Sequence, residues 1–161
     1  MKMKVNNLAL LNGFLVEGVK LNCPGFEFLD HTSDVLIKAL GNSINEAFEQ
    51  AALGVYEIIT DTSKVKPINN VKIDIEGLDL YNLLYKWIES LLYYTDSEGL
   101  VFSKFNVKVD LQNNKLNAIA YGDKFDANIH EHRTIVKAMT YSQMEIRQEG
   151  NCWVLFFVVD I

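Results

Sequence analysis

Two stretches of this chain carry apolar residues at helical spacing, and nearly everything else from Phe26 onward alternates with a period of two. The first helical stretch places Ile44, Ala47, Phe48, Ala51, Ala52, Val55, Tyr56 and Ile59 on one stripe. Ser43 and Glu46 before it form the S-x-x-E pattern that satisfies the first free amides of a helix. The second places Leu80, Leu83, Leu84, Trp87, Ile88, Leu91 and Leu92 on one face, with Asp79 as its N-cap and Asp96-Ser97-Glu98-Gly99 as its exit. A single buried stripe on each requires that each pack on a sheet or on the other helix.

The strand-like segments are Phe26 to Leu29, Val35 to Leu40, Val71 to Ile75, Lys104 to Leu111, Leu116 to Tyr121, Ile135 to Arg147 (bent or broken) and Cys152 to Val159. Asn113-Asn114 offers a tight turn because asparagine tolerates positive φ, and Glu149-Gly150-Asn151 offers another. Asp123 to Arg133 reads as a polar loop. Hairpins outnumber helices, so the fold class is α+β with a mostly antiparallel sheet, not parallel α/β.

At 161 residues, 49% of them apolar, the chain suits one domain with a sizeable core. Its net charge of -6 argues against a wide non-specific nucleic-acid surface, so any work on RNA is expected to run through a partner. Lys2 and Lys4 followed by apolar residues imitate a secretion signal, but Asn6, Asn7 and Asn12 interrupt the run and no clean cleavage site follows. No stretch approaches the roughly 20 apolar residues of a membrane span. The expectation is a cytoplasmic protein with an N-terminal extension over 1–24 and a domain over 25–161, Pro24-Gly25 marking the boundary. Cys23 and Cys152 have neither metal spacing nor a disulfide framework and are expected as free thiols.

Candidate chemistry gathers at two acidic places. One is Asp30-His31-Thr32-Ser33-Asp34; the other is the end of the last strand, where Asp160 and the main-chain carboxylate of Ile161 follow one another. Brought together, these are hard oxygen donors suited to calcium or magnesium and not to zinc. On spacing alone, a turn cap at Asp34 and a solvated terminus account for the same residues, because no EF-hand-type loop is present. Lys137 shares an alternation face with Ile135, Met139 and Tyr141, an apolar setting for a charge. It could pair with the acidic cluster or hold a partner's phosphate or carboxylate; the simpler account is an edge-strand lysine with its stem on apolar neighbours. His31 could ligate a metal or orient a carboxylate, although a hydrogen-bonded structural role is the commoner one. His130 and His132 lie in the expected solvated loop, and Asp79, Glu89 and Asp96 belong to a helix whose charges usually face water. No P-loop, G-x-G-x-x-G, G-x-S-x-G or C-x-x-C motif occurs.

Taken in order, the segments resemble the archease family. Phe26-Glu27-Phe28-Leu29-Asp30-His31-Thr32-Ser33-Asp34 is similar to that family's opening strand and His-Thr-Ala-Asp motif, and Gly41 with Ile44 to Glu49 to its glycine and first helix. Leu78-Asp79-Leu80, Leu83-Leu84, Trp87 and Leu91-Leu92 resemble the second helix. Gly122, His130, Val136-Lys137-Ala138-Met139-Thr140-Tyr141 and Asp160-Ile161 resemble the later signatures. Ser33 replaces the usual alanine, Asp123 a common glutamate, and Ser142 a common histidine. The resemblance covers about Phe26 to Ile161.

The resemblance implies an SHS2-type α+β fold and a protein that is not itself an enzyme but activates the RtcB-type tRNA-splicing ligase. That ligase joins an RNA 2′,3′-cyclic phosphate or 3′-phosphate to a 5′-hydroxyl, using manganese, GTP and a guanylylated histidine. The activator promotes guanylylation and repeated turnover, and meets RNA only through the ligase. Asp34, Asp160 and Ile161 match the family's metal-binding positions, with calcium the expected ion. Lys137 matches its required lysine, with His31 as a further activation residue. Two other functions fit the residues: a chaperone-like adaptor for RNA-processing proteins, and a metal-dependent hydrolase using Asp34, Asp160 and Lys137.

Overall fold

The structure, a computed structural model, describes residues 22–29 and 33–161, together with the backbone of 8–11 and 14–17. The last two pair as a hairpin of β1 (Leu8–Leu11) and β2 (Phe14–Glu17). The α+β class expected from the periodicities is what the chain adopts. One sheet holds β3 (Gly25–Leu29), β4 (Asp34–Gly41), β8 (Ala138–Met139), β9 (Glu145–Glu149) and β10 (Cys152–Asp160). Its order is β3-β4-β10-β8, with β9 also on β10. A second sheet has the order β5-β7-β6, from β5 (Asn69–Glu76), β6 (Leu100–Asp110) and β7 (Lys115–Lys124).

The two helices are α1 (Ile44–Ile59) and α2 (Leu80–Glu98). α1 starts where Ser43 Oγ accepts from the Glu46 amide, and Glu46 reaches back to the amide of Asn42, one residue beyond the usual capping-box partner. α2 starts where Asp79 accepts from the Asn82 amide and stops at Gly99, whose φ of 67° is the left-handed conformation a helix end favours. Both apolar stripes are buried as expected, and two polar bonds tie the helices within the core. Trp87 Nε1 donates to Phe48 O at 3.0 Å, and Tyr56 Oη donates to Leu91 O at 3.0 Å. Burial pushes the Tyr56 phenol above its ordinary pKa, the Thr95 hydrogen bond opposing and the Asp96 charge adding to it.

Alternation assigns the faces of the first sheet. Ile37 and Ala39 of β4, with Leu155, Phe157 and Val159 of β10, join the main core under the helices. The intervening residues, Asp34, Leu36 and Lys38 opposite Asp160, Val158 and Phe156, share the other face. There Phe156 lies between Lys38 Nζ, 5.8 Å from the ring centroid, and Arg147 Cζ, 5.1 Å from it. No described helix is long and apolar enough to cross a membrane.

Two expectations are corrected. Cys23 and Cys152 are joined in a disulfide and are not free thiols. The link ties the residue before cis-Pro24 to the start of β10, a proximity that a sequence separation of 129 hides. His130 is not in a solvated stretch: it is 4% exposed, its Nδ1 accepts from the Asp126 amide, and its ring lies near Phe125. The loop after β7 therefore folds around an imidazole, which serves as an internal acceptor.

Candidate functional site

The end of β10 is where the acidic residues meet. In the antiparallel register Asp160 is the direct partner of Asp34 on one side and of Ala138 on the other. Directly opposed residues of an antiparallel pair project from the same face, so the two aspartates are neighbours on the outer face of the sheet. Both are partly buried, as is Ile161, which packs against the main core. The carbonyl of Asp160 accepts from the Lys137 amide at 2.8 Å. Asp34, Asp160, Ile161 and Lys137 therefore converge on one strand end, and three distant segments of the chain supply them. His31, with Asp30, lies outside the described residues.

Among the described residues, no group of three or more His, Cys, Asp or Glu side chains is close enough to hold a metal ion. The acidic pair alone falls short of that number; a main-chain carboxylate beside it would make a third oxygen donor. The chemistry of such a set, carboxylate oxygens only, suits a hard cation.

Lys137 is exposed, but its setting departs from the alternation. Ile135 is 64% exposed and Met139 only 3%, so the two do not share a face. The cause is local: regular strand is confined to Ala138–Met139, and the chain on either side follows its own course. The stretch from Ile135 to Arg147 is accordingly broken into β8 and β9 around a bend, where Gln143 takes a φ of 54°.

What holds this broken segment is α2. Glu89 Oε1 accepts from the Met139 amide at 2.7 Å. One turn earlier the Tyr85 ring stacks on Tyr141, with centroids 4.4 Å apart and planes 6° from parallel, and Asn82 Nδ2 donates to the Tyr141 oxygen at 2.8 Å. Burial, then the charges of Glu89 and Tyr141, raises the Tyr85 phenol pKa. On the far side, Thr140 bonds Val158 O through both its amide and its hydroxyl. The sequence groups Glu89 with solvent-facing helix charges, and the structure instead sets it on the Met139 amide. It lies on the face of α2 away from the buried stripe, in line with Asn82 and Tyr85, so periodicity offers no hint of the bond.

An open groove of about 590 Å³ runs between β5 and α2, lined by Lys72, Asp74, Lys86, Glu89 and Tyr93 among others. Of the α2 residues that hold the broken segment, Glu89 lines it.

Comparison with known proteins adds lineage. The family model described as the archease protein family matches residues 26–161. The protein archease of Sulfurisphaera tokodaii is 57% identical over 136 residues, covering 84% of this chain and 98% of that one. That of Aeropyrum pernix is 54% identical over 144 residues, covering 88% of this chain and all of the other. Among solved structures, the solution structure of Methanobacterium thermoautotrophicum protein 1598 aligns with a TM-score of 0.75 at 38% identity, covering 86% of this chain and 99% of that one. A crystal structure from Thermotoga maritima, described as an archease and possible chaperone, aligns with a TM-score of 0.57 at 18% identity and speaks for the fold alone; it covers 89% of this chain and all of the other.

Proposed function

Since this chain belongs to the archease family, we propose that it activates an RtcB-type tRNA-splicing ligase, promoting the ligase's guanylylation and repeated turnover while carrying no catalytic residue of its own. The observation that carries this reading is the register of β4 and β10, which sets Asp34 opposite Asp160 with the Lys137 backbone bonded to Asp160. These are the residues the family resemblance marks, and they lie together.

In this reading Asp34, Asp160 and the carboxylate of Ile161 hold a divalent cation, calcium in the first instance and magnesium in the second. When bound, the ion supplies positive charge at an acidic strand end that can approach the ligase's phosphate-filled cleft. Lys137, exposed on the other side of Asp160, offers a cation to a phosphate or carboxylate of the partner. His31 is a further activation residue. RNA is met only through the ligase, in keeping with the chain's net charge of -6, which also favours encounter with a basic RNA-binding partner. The setting is cytoplasmic.

The test is guanylylation of the cognate ligase with and without this protein, followed by Asp34→Ala, Asp160→Ala and Lys137→Ala. Stimulation by the native chain and its loss in folded variants supports the reading; undiminished stimulation by all three removes these residues from it. A chaperone-like adaptor is the second reading; the Thermotoga protein, at 18% identity, is itself described only as a possible chaperone. It would bind several RNA-processing proteins and ignore the three substitutions.

A further inference from the structure

We propose that Glu89 is a positioning residue for Lys137, acting through the Met139 amide. The inference rests on the reading above for what Lys137 does, but its geometry stands independently.

β8 is only two residues long and ends the strand order of its sheet, so among the described residues one of its edges has no neighbouring strand. On the inner edge, Lys137 N and Thr140 N are taken up by Asp160 O and Val158 O of β10. On the outer edge, the Met139 amide meets the Glu89 carboxylate at 2.7 Å, where a further strand would have supplied a carbonyl. A charged acceptor makes this a stronger bond than an ordinary ladder bond, and it is partly shielded from water. The Met139 side chain is buried beneath it. Removing the carboxylate leaves an inward-facing amide without its acceptor, and a two-residue strand has little else to keep it in register.

The same face of α2 holds the segment at a second point. Asn82, Tyr85 and Glu89 follow at spacings of three and four, which align them along the helix. The first two engage Tyr141 by hydrogen bond and ring stacking. Lys137 therefore projects from a stretch gripped at Met139 and Tyr141 by the helix and at its own amide by Asp160. The helix fixes where the lysine stands relative to the acidic pair.

The experiment uses the full chain and two readouts. Amide hydrogen exchange at Met139 reports the grip without any ligase. Titration of the protein into the cognate ligase separates the concentration needed for half-maximal guanylylation from the maximal rate. Glu89→Ala is expected to speed Met139 exchange at least tenfold, leave core amides such as Phe157 slow, and lower the maximal rate severalfold. Glu89→Gln, whose carbonyl still accepts, is expected to recover most of both. Met139 exchange within twofold of native in Glu89→Ala overturns the proposal, as does failure of Glu89→Gln to recover it. Should Glu89→Ala also quicken the core amides, Tyr141→Ala probes the same clamp from the exposed side: faster exchange at Met139 supports it, and unchanged exchange overturns it. Normal stimulation by Lys137→Ala would end the role assigned to that lysine, while the exchange data would still decide whether Glu89 positions it.

Discussion

Asp34 and Asp160 face one another across the β4–β10 ladder, two acidic side chains at directly opposed positions on one sheet face. Like charges so placed weaken a sheet, and a cation between them reverses the sign of their contribution. Calcium in hundredfold excess over its dissociation constant is therefore expected to raise Tm by roughly 5–10 °C. Asp34→Asn and Asp160→Asn should each abolish the rise, and in chelator should be no less stable than the native chain. Thermal unfolding with calcium and with chelator checks this; a calcium response that survives both substitutions places the ion elsewhere.

Glu49 gives the fold a pH dependence of its own. Burial, with the Glu46 charge adding to it, raises its carboxyl from about 4.5 to about 7. The folded state therefore holds a proton that the unfolded state has released. Stability from this group is fully present below about pH 4.5 and is lost as pH rises through about 7. The side chain is partly open to water, which keeps the effect within about 1 kcal/mol. Denaturant melts between pH 4.5 and 7.5 should show the decline in the native chain and a flatter profile in Glu49→Gln.

Gly122 sits where β7 crosses the irregularity between Phe102 and Lys104 of β6, and a Cβ there would fall 1.8 Å from Val101 O. Gly122→Ala is expected to cost at least about 2 kcal/mol, because backbone, not a yielding side chain, stands in the way. Gly99→Ala meets no atom within 4 Å and bears only its left-handed φ, about 1 kcal/mol. Urea midpoints should rank the two in that order.

The Cys23–Cys152 link closes almost the whole domain into one loop. Its reduction, or Cys152→Ser, is expected to lower stability by about 2–5 kcal/mol. Cys152 and Asp160 are at opposite ends of β10, roughly 26 Å apart at strand rise. Ligase stimulation measured well below Tm should therefore be unaffected by the loss. Calorimetry with and without reductant, alongside the guanylylation assay, tests both halves.

Elements whose signals are local were readable in advance. The stripes of α1 and α2, the caps at Ser43 and Asp79, the turn at Asn113-Asn114 and the α+β class follow from neighbours within a few positions. What stayed hidden depends on pairings across the chain. The insertion of β10 between β4 and β8 brings residue 160 beside residues 34 and 138, and no periodicity encodes that. The same non-locality concealed the disulfide. Glu89 and His130 were misplaced for another reason: each is a polar side chain turned inward to satisfy one backbone amide, and composition counts such a residue as surface. Alternation groups Met139 with Lys137, and the structure separates them, because alternation presumes a continuous strand and the chain there is strand for only two residues.

β10 joins β4, far earlier along the polypeptide, to β8 and β9 just before it, and it is the last of these strands to be made. A chain shorn of that strand, or caught before it docks, presents neither the opposed aspartates nor a seated Lys137 segment. Contacts so distant in sequence also form slowly, since long loops must close first. Any partner that recognised this corner would meet it only on a finished copy.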